Sequence, residues 1–325
     1  MRMPGLIENE TLKLLRRRRF AIVIGILMAI LSVVSYAEYR QLARHADRDW
    51  RVETQQHIAR YQNVIRRARV NPSWERSLRA EIARLQYYLD HDIPPDRPTA
   101  PFFVRQFANV AGYVLLPLLI AVLGSDIVSA ENSEGTDKLL LTRPLRRWKI
   151  LTSKVGALFL FSTLTLVCGG VLATVIGSIA LEPRGWSAPV FIGFWGGGAK
   201  LDVATVRQIP LWLDIVLAYG LEWFALLCVA SVALLLSVLF RSGAASIGTM
   251  LATLIGGTIL TRVSPDWVAG KYLFVSALPL AAYFGGEPPP YDGMSLAFCV
   301  SLLGGWAVVT LALAYFVFTR RDVLG

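Results

Sequence analysis

Few residues in this 325-residue chain could do chemistry, and most of them are charged side chains set between long uncharged stretches. The three histidines, His45, His57 and His91, lack the spacing that would bring imidazoles around one metal ion. Cys168, Cys228 and Cys299 stand singly inside apolar runs, with no CxxC pair, and read as small core hydrophobes. No lysine completes a GxxxxGK[ST] phosphate loop. The nearest imitation, Gly196-Gly197-Gly198-Ala199-Lys200, continues into Leu201. HExxH, GxSxG and GxGxxG are absent as well. The sequence therefore predicts no catalytic residue, no metal and no cofactor held by this chain. Any work driven by ATP would need nucleotide bound by another chain.

Two carboxylates form the one constellation inside an apolar stretch. Asp214, Ala218 and Glu222 are four residues apart and share a face of a predicted helix. The length of this predicted helix, from Leu211 on, sets Asp214 at headgroup level and Glu222 one to two turns deeper, and ionisable groups there mark candidate substrate or proton paths. Arg105 opens another apolar stretch from the same side and could pair with either carboxylate. Structural pairing and simple exposure at the rim are the competing readings for Asp214 and Glu222.

Composition dictates what positions these groups. The chain is 54% hydrophobic and 17% charged, against about 25% charged residues in soluble domains. The charge deficit is concentrated in the runs 20–37, 106–125, 155–181, 223–240, 242–261 and 293–319. A helix needs about 20 mostly apolar residues to cross the hydrocarbon core of a bilayer. The predicted fold class is thus an all-α polytopic membrane protein with six transmembrane helices, not a soluble enzyme. The net charge of +10 is assigned to loops that orient the protein and meet anionic headgroups; no nucleic-acid motif accompanies it.

The chain divides into an amphipathic interfacial helix (1–19), spans at 20–37 and 106–125 around an external segment (38–105), and a connecting loop (126–154). Spans at 155–181 and 211–240 follow, separated by an external loop (182–210). A span at 243–261, an external loop with a re-entrant segment (262–294), the last span (295–319) and a tail (320–325) complete it. Residues 20–37 exceed the usual length of a signal-peptide core and are expected to stay as the first span. Arginines and lysines concentrate in 1–19, in 126–154 and in the tail, which places both termini in the cytoplasm. Segment 38–105 is long enough to translocate whatever its charge.

Within 38–105, Ile58, Tyr61, Ile65 and Ala68 recur at helical spacing, as do Trp74, Leu78, Ile82, Leu85 and Leu89 after Asn71-Pro72. The pattern predicts an external helical hairpin, with Glu75 and Arg79 as an i,i+4 pair. The segment is arginine-rich and has no lysine. Residues 272–286 are uncharged but contain Pro279 and are too short for a full crossing, so they are read as re-entrant. In residues 1–19, Leu6, Ile7, Leu12, Leu14 and Leu15 supply the apolar side. Glu8, Glu10, Lys13 and the arginines supply the polar side.

The loop 126–154 is the most informative stretch. Glu131, Glu134, Gly135 and Thr136 precede the triplet Leu139–Leu141, then Arg143-Pro144 and the basic helix start at Arg147. Acidic and basic residues flanking a small leucine patch suit docking on another protein; an amphipathic loop resting on anionic lipid is the alternative. In these letters, through Leu151 and Lys154, the chain resembles the permease subunits of bacterial type-2 ABC exporters. The ending Phe318-Thr319-Arg320-Arg321-Asp322-Val323 is similar to that family's as well.

The resemblance implies a pair of permease subunits working with two ATPase subunits that bind Mg-ATP, in the bacterial cytoplasmic (inner) membrane. By the resemblance, Glu131, Glu134, Gly135, Thr136, Leu139, Leu140, Arg143, Pro144 and Arg147 would bind the ATPase as a coupling helix. ATP hydrolysis would then drive a substrate outward, amphipathic, peptide-like or lipid-like. Membrane lipid is the remaining expected partner. Two other functions stay open from the residues alone: an ion- or proton-coupled carrier, and a membrane scaffold or sensor reading the external hairpin.

Overall fold

A computed structural model describes residues 3–16, 18–45, 49–67, 72–129, 146–194, 205–264, 267–291 and 293–320, with the side chains of 41–45 and 72–73 left aside. Helices dominate. α1 (Met3–Arg16) leads into α2 (Arg19–His45), followed by α3 (Trp50–Arg67) and α4 (Pro72–Asp90), which pack against one another. α5 (Ala100–Val110), a π-helical turn (Ala111–Leu115) and α6 (Leu116–Gly124) form one rod. α7 (Arg147–Ala180), the strands β1 (Pro189–Ile192) and β2 (Arg207–Pro210), and α8 (Leu211–Leu239) come next. α9 (Gly243–Val263), a 3-10 turn (Val268–Tyr272), the short α10 (Phe274–Ala277) and α11 (Leu280–Phe284), and α12 (Leu296–Arg320) complete the order.

Six of these helical stretches are long and apolar enough to cross a membrane: Arg19–Arg40, Ala100–Gly124, Arg147–Ala180, Leu211–Leu239, Gly243–Val263 and Leu296–Arg320. They are the first to sixth spans below. All six coincide with charge-free runs of the sequence, but some helices extend beyond those runs. The second span begins at Ala100 rather than 106, and the third at Arg147 rather than 155. Arg105, Arg147, Lys149 and Lys154 account for this, because a charge-free run stops at the first charged side chain whereas a helix does not.

The second and fourth spans are the central pair. Inside the chain lie 61% and 67% of their most apolar stretches, against at most 33% for the others. The fourth packs on the second, third, fifth and sixth. Outward-facing Val33, Val171, Ile179, Ile259 and Val308 suit lipid rather than water.

Pro117 explains the irregularity in the second span. A proline inside a helix lacks the N–H that would bond four residues back, and its ring presses on that carbonyl. The turn just before it widens, and the Leu116 N–H reaches the Ala111 carbonyl five residues back.

Three local features depart from the sequence reading. β1 and β2 pair antiparallel, Pro189 opposite Pro210 and Ile192 opposite Arg207, so the connection 182–210 is not all irregular. Tyr87 and Tyr88 of α4 pack edge-on against Phe191 of β1, which fastens that pair of strands to α4. On α1 the buried residues are Leu6, Glu10 and Leu14, while Leu12 and Leu15 face out; Glu10 thus belongs to the packed face and not to the polar one. The Glu75–Arg79 pair forms as read, at 2.6 Å.

α10 and α11 are buried against the fifth and sixth spans and the fourth, respectively. Gly257 permits this approach, since a Cβ there would come within 2.9 Å of Val275. Gly257→Leu is expected to cost about 1–3 kcal/mol by overpacking, read as a lowered melting temperature, whereas Gly256→Leu, with open space at its Cβ, should leave melting within about 0.5 kcal/mol of the parent.

Candidate functional site

Two polar clusters lie at opposite ends of the central spans. The first surrounds the ends of segment 130–145. Lys154, 1% exposed, donates from Nζ to Glu10 Oε2 at 3.0 Å and to the Ile127 carbonyl at 3.1 Å. Lys13 donates to the other oxygen of Glu10 at 2.9 Å. Asp126 pairs with Arg19 at the start of the first span. The Val128 and Ser129 N–H groups both donate to Ser237 Oγ of the fourth span, at 2.9 and 3.0 Å. A serine on the neighbouring helix thus satisfies two backbone N–H groups at once. On the far side of the segment, Arg147 donates to the Thr319 carbonyl of the sixth span at 3.3 Å.

Burial alone would raise the Glu10 carboxyl, but the ammonium groups of Lys154 and Lys13 outweigh it and hold the group below its usual range. α1 is thereby pinned to the third span. Gly156 completes the contact by leaving room for Ile7, whose Cδ1 would stand 3.1 Å from a Cβ there.

The second cluster is a ladder between the second and fourth spans. Arg105 donates from Nε to Asp214 Oδ2 at 2.6 Å, both side chains being 6% exposed. Its other nitrogens reach Asn109 and the Ala281 carbonyl of α11, the latter at 3.0 Å. One turn on, Ala108 and Ala218 meet with Ala281. One turn further, Gly112 faces Glu222, and a Cβ on Gly112 would overlap the carboxylate. Positions 105, 108 and 112 thus oppose 214, 218 and 222. Beside the ladder, Asn109, Tyr113, Arg262, Ser276, Tyr283 and Glu287 help to line a cavity of about 390 Å³, with Arg262 set over the Tyr113 ring.

Of the residues singled out from sequence, Glu131, Glu134, Gly135, Thr136, Leu139, Leu140, Arg143 and Pro144 lie outside the described residues, as do Arg321, Asp322 and Val323 of the tail. Arg147 is described and sits in the first cluster. Asp214 and Glu222 share one buried face as expected, and the structure assigns Arg105 to Asp214. Glu10, Arg19, Asp126 and Ser237 were missed. They come together only through tertiary packing, and no local spacing announces them. No group of three or more metal-ligating side chains occurs among the described residues.

Six apolar helices packed around paired buried charges define a multi-pass helical membrane protein. The chain belongs to the family of proteins of unknown function DUF2705, which matches residues 77–324. It is 28% identical over 325 residues to the uncharacterized protein YhcI of Bacillus subtilis (strain 168), covering 99% of each chain. Over 214 residues it is 25% identical to the uncharacterized membrane protein YdbK of the same organism, covering 65% of this chain and 78% of that one.

Lys154→Met would leave Glu10 buried without its main counter-charge and should cost about 3–5 kcal/mol in thermal unfolding. Adding Glu10→Gln should restore most of that loss, because the second substitution removes the stranded charge. The sign with pH follows from the lowered Glu10 carboxyl. Its contribution is complete above the ordinary value of 4.5 and is lost as the pH falls through the lower value in the folded protein. Acid titration of α1 release, followed by proteolysis at the N-terminus, checks this.

Proposed function

We propose that this protein is the transmembrane permease subunit of an ATP-driven exporter of the type-2 ABC class. ATP hydrolysis by a separate subunit would be coupled here to outward movement of a substrate that is amphipathic, peptide-like or lipid-like. The observation that carries the reading is the run Glu131, Glu134, Gly135-Thr136, Leu139–Leu141, Arg143-Pro144 and Arg147 between the second and third spans, which resembles the coupling loop of that class. The first cluster supports it physically. A segment that receives force from a partner must be held firmly at its ends; residues 126–129 before it are fastened to neighbouring helices by buried polar contacts, and Arg147 after it donates to the Thr319 carbonyl.

On this reading the first cluster faces the cytoplasm, with both termini, in a bacterial inner membrane. α3 and α4 form an external hairpin, and residues 272–286 re-enter the outer leaflet without crossing it. The working unit pairs two permease subunits with two ATPase subunits. Mg-ATP is bound by the latter, and this chain acts as no enzyme itself. The leucine triplet seats in a groove of the ATPase, the glutamates and arginines flanking it set the register, and Gly135 allows close approach.

Glu134→Lys or Gly135→Trp should weaken retention of the ATPase subunit by at least about tenfold, equivalent to about 1.4 kcal/mol, and uncouple hydrolysis from transport. Melting of the permease should stay near the parent value, which separates lost docking from a lost fold. Full retention and coupled activity in both variants would contradict the coupling assignment.

A further inference from the structure

Glu222 stands in the middle of the fourth span with 0% of its surface exposed. Neither of its oxygens has a hydrogen-bond partner among the described residues. Asp214, two turns away on the same face, has Arg105; Glu222 has the bare backbone of Gly112, inside the π-helical turn. An unpaired carboxylate in an apolar interior costs far more than a neutral acid. Gly112 presses on the carboxyl group closely enough that a single methyl group would collide with it. The ligand small enough for that contact is a proton.

We propose that Glu222 is a proton-binding site that holds the second and fourth spans together. It carries its proton while the Gly112 contact is closed and releases it when the spans part and water reaches the carboxyl group. The charged and titratable surroundings are sparse. Tyr219, the nearest on its own helix, is committed to the Val104 carbonyl at 3.3 Å. The second span offers Arg105, bound to Asp214, and Tyr113. The third span beyond Lys154 brings Cys168 and the sixth brings Cys299 and Tyr315, with no charge before Arg320. α11 brings Tyr283, the residues after it Glu287 in the cavity lining, the fifth span Arg262 and β2 Arg207, and Cys228 lies further along Glu222's own helix. Among these, the guanidinium nearest along the ladder is already spent on Asp214. A second span that shifts through its π turn, where one extra backbone residue is stored, can uncover Glu222 without breaking the Arg105–Asp214 rung. Deprotonation at high pH then favours the parted state. The proposal does not depend on the identity of any ATPase.

Infrared spectroscopy of the full chain in lipid nanodiscs, with carbon-13 glutamate, tests the protonation directly. At pH 7 an ordinary glutamate is ionised, so an isotope-shifted carboxylic-acid C=O band identifies a neutral one. The band is expected in the parent and in Asp214→Asn, and absent in Glu222→Gln. No such band in the parent, or its survival in Glu222→Gln, overturns the proposal, and the parent measurement needs no variant to fold. The switch is read by cysteines at Ala108 and Ala218, in a background lacking the three native cysteines. Relative to the same pair carrying Glu222→Gln, cross-linking should fall several-fold as the pH is raised, because the neutral amide keeps the seam closed. Identical pH profiles with and without Glu222→Gln would overturn the switch.

Discussion

A bilayer interior tolerates a buried charge only if it is paired or neutral, and the seam between the second and fourth spans is built around that constraint. Its three rungs combine a charge pair, two alanines, and a carboxyl group set on a glycine. Small residues let the helices approach, and the Arg105–Asp214 pair fixes their register. The same guanidinium binds the Ala281 carbonyl and so holds α11, a helix too short to cross, against the pair. Gly285 leaves room for it, since a Cβ there would stand 2.7 Å from the guanidinium.

Both seam helices also reach the cluster at the other end of the molecule. The fourth span has 29 residues, Leu211–Leu239, about 43 Å of helix, with Asp214 near one end and Ser237 near the other. The second runs from Arg105 toward Asp126. Asp126 pairs with Arg19, the Ile127 carbonyl accepts from Lys154, and the Val128 and Ser129 amides end on Ser237. The contacts of residues 126–129 therefore join four spans at once, and two of those spans extend to the ladder. The π-helical turn before Pro117 interrupts the second rod between its ends.

Much of this was legible in the sequence, for a simple reason. Six charge-free runs are a solvent-transfer property of the chain itself, independent of which helix touches which. The common face of Asp214, Ala218 and Glu222 followed from helical spacing, and Arg105, opening another apolar stretch from the same side, could be read as a partner for either carboxylate. What opposed Glu222 was not legible, because a glycine gives no signal that it faces a carboxyl group across a seam. Glu10 was misassigned to the polar side of α1 because a charged residue reads as solvated until Lys154, 144 residues away, is brought against it. The β1–β2 pairing rests on four residues per strand, too few for a periodic signal, and on aromatic packing against α4.

The central claim is that segment 130–145 joins this membrane protein to an ATPase, and it is tested most directly by extracting the tagged chain gently from its native membrane and identifying what comes with it. The account predicts a stoichiometric subunit that carries a phosphate loop and hydrolyses ATP. Isolation of the chain without any nucleotide-binding subunit, under conditions that keep a known exporter complex intact, would contradict it.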